Sequence, residues 1–263
     1  MTQAFTQLPQ QLDFEGANNF RDLGGYPAAD GLVVRSGRLF RSDHLGKLTD
    51  NDQLLLAELG VRTVIDLRRD SERDEISDRI DDPNINQLWL PIAAKGADVL
   101  TLRREIEKGN INDSDAEQIL IQANKEFVEQ FSHVFKDFFA VLLDEKNYPI
   151  VFHCSAGKDR VGLSAALTML AVGCPMESVQ HDYLATNHCT QAYINGIIDG
   201  LNDMPALKST LQAVKTLMQV QPAFLQAALD TIDTQHGGID QYFSEVLAMG
   251  DVARSRLRQL LCE

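Results

Sequence analysis

The sequence is short of everything that a disulfide scaffold, a zinc site or a membrane span needs. Its four cysteines (Cys154, Cys174, Cys189 and Cys262) in 263 residues are too sparse to staple a chain of this length, and none forms a C-x-x-C pair of the kind that holds zinc or runs dithiol redox chemistry. The longest apolar run, residues 161–174, is interrupted by Ser164 and Thr168 and is too short and too polar for a bilayer. The opening residues carry no basic stretch followed by an apolar one, so a cytoplasmic, reduced location is expected. Positive charge is scarce too: 24 Lys+Arg face 38 Asp+Glu, for a formal net charge of -14. That balance argues against nucleic acid and against stable association with an anionic membrane surface. A small anionic substrate stays admissible, because a few donors in a water-poor site outweigh a distant net charge.

What is present is the composition of a soluble globular chain, 44% hydrophobic and 24% charged, with no repeat period and with length for one domain over residues 1–263. Residues 31–39 (GLVVRSGRL) predict a strand pair or a strand and turn. Thr49 to Asp52 offer caps for a helix that Gly60 stops, and residues 61–67 (VRTVIDL) follow as a β-branched strand ending in Asp66. That is half of an α/β unit. Residues 70–82 are dense in charge and predict a solvated helix or loop. A strand is expected at 88–92 (LWLPI), an inserted helical lid at about 93–122, and a helix over 124–144. In that helix Phe127, Phe131, Val134, Phe135 and Phe138 recur at core spacing. A buried strand at 148–152 (YPIVF) leads into His153. The last third predicts helices broken at Gly196, Gly200, Pro205, Pro222 and Gly237-Gly238.

Chemistry concentrates after that strand, in residues 153–162 (HCSAGKDRVG). Cys154 and Arg160 bracket a five-residue loop, Ser155, Ala156, Gly157, Lys158 and Asp159, between a strand and a helix N-terminus. A loop so placed turns successive backbone N–H groups inward as an anion nest, and the helix dipole adds partial positive charge. The same field favours a thiolate, so Cys154 is expected to ionise well below the free-cysteine value of about 8.5. Arg160 offers a planar fork for two phosphate oxygens, and Gly157 allows close backbone approach. A nucleotide-binding Walker loop is excluded: Phe152 stands where its first glycine is required, and Asp159 where its Ser or Thr is. Asp66, at the C-terminal end of a predicted parallel strand, lies at the edge where α/β sites are built; it serves either as an acid or as a structural partner of Arg68 or Arg21. His181, His188 and Cys189 read as one face of a packed helix, and no metal is expected.

The loop resembles the active-site loop of cysteine-dependent protein tyrosine phosphatases. Its Gly-Lys-Asp-Arg form resembles a bacterial branch of atypical tyrosine/serine and phosphoinositide phosphatases, a mycobacterial enzyme among them. Residues 19–25 (NFRDLGG), Arg41-Ser42, residues 60–68 with Glu72, and Asp182-Tyr183-Leu184 with Asn187 fit the same pattern in the same order. The resemblance implies an α/β fold with a small, mainly parallel central sheet flanked by helices and an additional helical lid or C-terminal segment. It implies hydrolysis of a phosphorylated protein, phospholipid or small phosphate without metal or organic cofactor, in two steps through a cysteinyl-phosphate on Cys154. The loop amides and Arg160 hold the equatorial oxygens, and Asp159, where the family places an important aspartate, is favoured over Asp66 as the acid. It further implies that His153 orients the loop, that Lys158 adds positive charge for an acidic substrate, and that Arg21 and Asp22 support the loop from below. One departure is plain. The residue after the loop arginine is usually Ser or Thr, and here it is Val161, so slow breakdown of the phosphoenzyme is expected. A sulfurtransferase and a non-hydrolysing phosphate-binding module are the readings from other classes; the His before the cysteine, Arg160 and the intact Cys154 count against them.

Overall fold

The strands are short, and in the three central ones, 39–42, 63–66 and 150–153, the alternation of side chains puts packed structure on both faces of the sheet. In the computed structural model, which describes residues 10–95, 99–202 and 210–263, β1 (Arg21–Asp22), β2 (Leu39–Ser42), β3 (Thr63–Asp66), β4 (Asn86–Trp89) and β5 (Ile150–His153) form one sheet in the order β1-β2-β5-β3-β4. β1 runs antiparallel to β2 and every other pair is parallel. Along the chain follow α1 (Asp50–Glu58), α2 (Asp70–Glu75), α3 (Val99–Glu107), α4 (Asp113–Leu142), α5 (Asp159–Ala171), α6 (Met176–Cys189), α7 (Gln191–Asn202), α8 (Leu211–Met218) and α9 (Pro222–His236), with a last helix over Asp251–Leu261. This is the mainly parallel sheet flanked by helices that the resemblance implies. No helix among the described residues is long and apolar enough to cross a membrane.

Successive strand residues face opposite sides. Leu39, Ile65, Ile150 and Phe152 enter the main core with the phenylalanines of α4 and the apolar faces of α5 and α9. Phe40, Val64 and Val151 enter a second core with Phe14, Phe20 and Leu56 of α1. Burial on both faces explains why these strands read as continuous apolar runs. Register then fixes the site. Ser42, His153, Asp66 and Trp89 pair in one row, so all four parallel strands end together and the segments after them leave from one edge.

Several sequence expectations shift. Residues 31–39 make isolated bridges, Pro27 to Val33 and Val34 to Cys262, before β2 begins at Leu39; Val34 pairs back with Gly25 and Tyr26 across a tight turn, while Val33 and Arg35 bond to Glu263 and Leu261 at the C-terminus. β4 lies at Asn86–Trp89, earlier than the predicted 88–92, because Pro91 has no N–H to give. α4 begins at Asp113, ahead of the predicted residue 124: Asn112 and Asp115 cap each other's backbone N–H groups, and Ala116, Leu120 and Ala123 carry the buried stripe upstream. The expected insertion at 93–122 therefore comprises α3 and the first turns of α4, residues 96–98 lying outside the described residues. Two small apolar clusters knit this part to α7 and α8, one around Ile111, Leu120, Leu217 and Phe224 and one around Ile194, Ile198 and Val214. Gly196 and Gly200 do not break α7, whose isoleucine stripe holds it together. Pro205 lies outside the described residues, Pro222 opens α9, and Gly237 closes it in the left-handed conformation.

Candidate active site

Loop 154–158 is shaped from beneath. The Ser155 carbonyl accepts from the His44 backbone N–H at 3.3 Å. The Ala156 carbonyl accepts from Asn19 Nδ2 at 3.2 Å, and the Gly157 carbonyl from Asn19 Nδ2 at 3.0 Å and Arg41 Nη2 at 2.8 Å. In a trans peptide the N–H points opposite to the C=O of the same plane. Three carbonyls held below thus turn the N–H groups of Ala156, Gly157 and Lys158 to the other side, which is an anion nest. Gly157 is required twice over: its φ is +65°, and a Cβ would meet the Ser42 carbonyl oxygen at 2.6 Å. Gly157→Ala is expected to cost about 2–3 kcal/mol of stability, from the left-handed backbone and the clash together, and to weaken competitive inhibition by inorganic phosphate. Thermal melting and inhibition assays read the two effects; wild-type values in both would refute this account of the loop.

Cys154, 2% exposed, stands at the loop's start and Arg160 at its end, in the first turn of α5. Arg160 is buried against Glu72 of α2 through two parallel hydrogen bonds, Nη1 to Oε2 at 2.6 Å and Nη2 to Oε1 at 2.8 Å. Ser155 Oγ donates to the same carboxylate. Burial opposes charge on both partners. It is outweighed for Glu72 by Arg160 and Ser155, which hold the carboxyl below its usual range, and for Arg160 by Cys154 and Glu72, which push the guanidinium up. The charge-dense segment 70–82 is therefore not wholly solvated: Glu72 is 3% exposed and aims the arginine.

His153, fully buried, lies 3.0 Å by Nε2 from Asp78 Oδ2 and 3.9 Å from Asp66 Oδ1. Burial pushes the Asp78 carboxyl up, but His153 and Arg68 more than reverse that. Asp66, Asp78 and His153 bring ligating atoms within 4.8 Å of one another. Arg68 already occupies that space, with Nε and Nη2 on Asp66 at 3.0 and 2.9 Å and Nη2 on Asp78 at 2.9 Å. A cation would have to displace a guanidinium, so the trio fits an ion-pair network better than a metal site. Asp66 also accepts from the Arg68 backbone N–H at 2.9 Å and faces Arg73 Nε at 3.2 Å; both its oxygens are engaged structurally. Asp159 differs: its Oδ2 meets Lys158 Nζ at 2.6 Å, while its buried Oδ1 has no hydrogen-bond partner among the described residues.

Under the loop lies a layer of buried charge. Arg21 and Arg41, opposite each other in the β1–β2 register, both reach Asp182 of α6, Arg41 through a direct hydrogen bond and Arg21 at 3.5 Å. Arg21 also donates to Asn19 Oδ1, so it reaches the loop through Asn19. The Asp43 carboxylate receives the backbone N–H groups of Asn18 and Asn19, each at 3.1 Å. Asp22, expected beneath the loop, is elsewhere: it accepts from the Gly24 and Gly37 backbones at 2.8 and 2.6 Å and ties a turn. Val161 is fully buried in the main core. Asn19, Arg41, Asp43, Glu72, Asp78 and Asp182 carry the site's geometry without a role assigned from sequence. The visible signal was ionisable residues set inside apolar runs, as in residues 39–43 (LFRSD).

A thiol and a buried arginine at the two ends of an anion-sized loop, on the carboxyl edge of a mainly parallel sheet, form the architecture of a phosphate-handling enzyme. Residues 12–263 match the tyrosine phosphatase family. The chain belongs to that family and is a protein-tyrosine phosphatase. It is 28% identical over 253 residues to a Cupriavidus necator protein of the tyrosine-protein phosphatase group, covering 96% of this chain and 89% of that one. It is 27% identical over 279 residues to the triple specificity protein phosphatase PtpB of Mycobacterium tuberculosis, covering 95% and 98%. Overlap with the crystal structure of P. aeruginosa TpbA is distant, at 20% identity and a TM-score of 0.35 over 78% of this chain and 99% of that one.

Proposed function

We propose that the chain hydrolyses phosphomonoesters, phosphotyrosine first among them, through a cysteinyl-phosphate on Cys154. The observation that carries this reading is the loop whose carbonyls are tied down from below, with Cys154 at its start and Arg160 at its end. The phosphate dianion sits over the N–H groups of Ala156, Gly157 and Lys158, and Arg160, already aimed by Glu72, adds charge to its equatorial oxygens. Cys154 Sγ attacks phosphorus, the bond to the ester oxygen breaks, and the departing oxygen takes a proton from Asp159. Water then attacks phosphorus and gives a proton to Asp159 as the sulfur leaves. Val161 brings no hydroxyl to this second step, which supports its being the slower one. His153 positions the loop entry, and Lys158 adds positive charge for an acidic substrate. All of this is cytoplasmic chemistry needing no metal or cofactor. A relative named for triple specificity supports a pocket that takes more than one class of phosphoester; phosphoserine and phosphoinositides are the further classes the sequence resemblance implies.

Phosphate release from p-nitrophenyl phosphate, phosphotyrosine and phosphoserine peptides and phosphoinositides, with a chelator present, tests the reading. Asp159→Asn is expected to lower kcat about 100-fold. Asp66→Asn should lower stability instead, with kcat within a fewfold of wild type. A reversal of the two would make Asp66 the acid, and thiosulfate:cyanide transfer without phosphate release would point to a sulfurtransferase.

A further inference from the structure

We propose that Arg41, anchored by Asp182, is a positioning residue for this reaction: it fixes the Gly157 peptide so that the loop amides face phosphate, and its buried positive charge biases Cys154 toward the thiolate. The proposal rests on the reading of Cys154 as nucleophile. Around that sulfur the other buried charges are held by contacts of their own. Arg160 from α5 is matched by Glu72 from α2. Arg68, after β3, is matched by Asp66 and Asp78, with His153 alongside. Lys158 Nζ lies beside Asp159, and the Asp43 carboxylate, its charge intact, is held by the backbone N–H groups of Asn18 and Asn19. Two arginines from β1 and β2, both 0% exposed, share the one carboxylate of Asp182, and the other α6 groups beside them, Tyr183 and Cys189, are kept protonated by burial. Within the trio of Arg21, Arg41 and Asp182 two guanidiniums face one carboxylate, and Arg41 is near enough to Cys154 for the two to interact. A buried cation is costly unless anions face it, and the thiolate and the incoming phosphate add to Asp182 in that role. The guanidinium is needed because it bridges two acceptors from one rigid plane, Asp182 by Nη1 and the Gly157 carbonyl by Nη2; an ammonium is a point charge.

The pH dependence of Cys154 alkylation by iodoacetamide, with and without inorganic phosphate as protectant, tests this. Cys174, pushed up to about 12 by burial and nearby Cys262, with Cys189 and Cys262 also raised, leaves Cys154 as the reactive thiol, and Cys154→Ser is the blank. Arg41→Gln removes one buried positive charge and should move the alkylation midpoint up by about one pH unit, with protection by phosphate about tenfold weaker. Asp182→Asn removes one buried negative charge and should move the midpoint down. Opposite signs distinguish an electrostatic role from a structural one, which would shift both variants alike. If one variant does not fold, the sign of the other decides. Midpoints that stay at the wild-type value, or move in the same direction, overturn the proposal. A wild-type Cys154 that phosphate does not protect would instead overturn the reading of the site.

Discussion

Cys154→Ser is expected to lower phosphate release by at least about 1,000-fold while leaving the fold and phosphate binding in place. Serine is nearly isosteric, and the site is already packed around a side chain 2% exposed. The amides of Ala156, Gly157 and Lys158 and the Arg160–Glu72 pair do not depend on the sulfur, so the cradle stays. What goes is the nucleophile, because a hydroxyl ionises far less readily than a thiol in the same field. The other cysteines do not substitute for it: each is buried and each thiol is raised. Release of p-nitrophenol by wild type and variant, with a chelator in both assays, is the measurement. Retention of more than a few per cent of activity would show that sulfur does not attack phosphorus.

Glu72→Ala should be nearly as damaging, by another route. It strands Arg160, whose side chain is 4% exposed, as a buried cation without a carboxylate, a change that costs about 3–5 kcal/mol in comparable settings. It also frees the fork to rotate away from the loop, and activity should fall about 100-fold. Glu72→Gln keeps both acceptor geometry and volume in part and should recover much of the stability. The same pair predicts an acid limit. The Glu72 carboxyl is held below its usual 4.5 and that of Asp78 below its usual 3.8. Each contributes stability that is fully present above the usual value and is lost as pH falls through the lowered one. Melting temperature should therefore hold down to about pH 4.5 and fall below it, with a shallower fall in Glu72→Gln. An unchanged acid limb in the variant would mean that the pair does not set this limit.

Local pattern was enough for much of this protein. The strand at 150–153 was legible because Ile150, Val151 and Phe152 make the unbroken apolar run of a strand buried on both faces, and the loop after it because Cys154, Gly157 and Arg160 have spacing that few other uses require. Boundaries were less legible where a cap outvoted periodicity, as at Asn112, where the capping box starts α4 before the phenylalanine stripe begins. Glycines in α7 misled for a related reason: the cost of a helical glycine is about 1 kcal/mol, less than the isoleucine stripe recovers by burial.

By itself, then, the sequence determined which segment carries the thiol, the glycine and the arginine, because those residues are adjacent in the chain and their chemistry needs no partner to be recognised. Only the tertiary structure decided what surrounds them. Glu72 meets Arg160 across 88 residues, Asn19 meets Gly157 across 138, and Arg41 meets Asp182 across 141. Charged and amide side chains on either side of such gaps look like ordinary surface residues, since a solvated charge and a buried paired one are the same letter. The register that ends Ser42, His153, Asp66 and Trp89 in one row carries these residues out of water together, and burial makes each pairing obligatory.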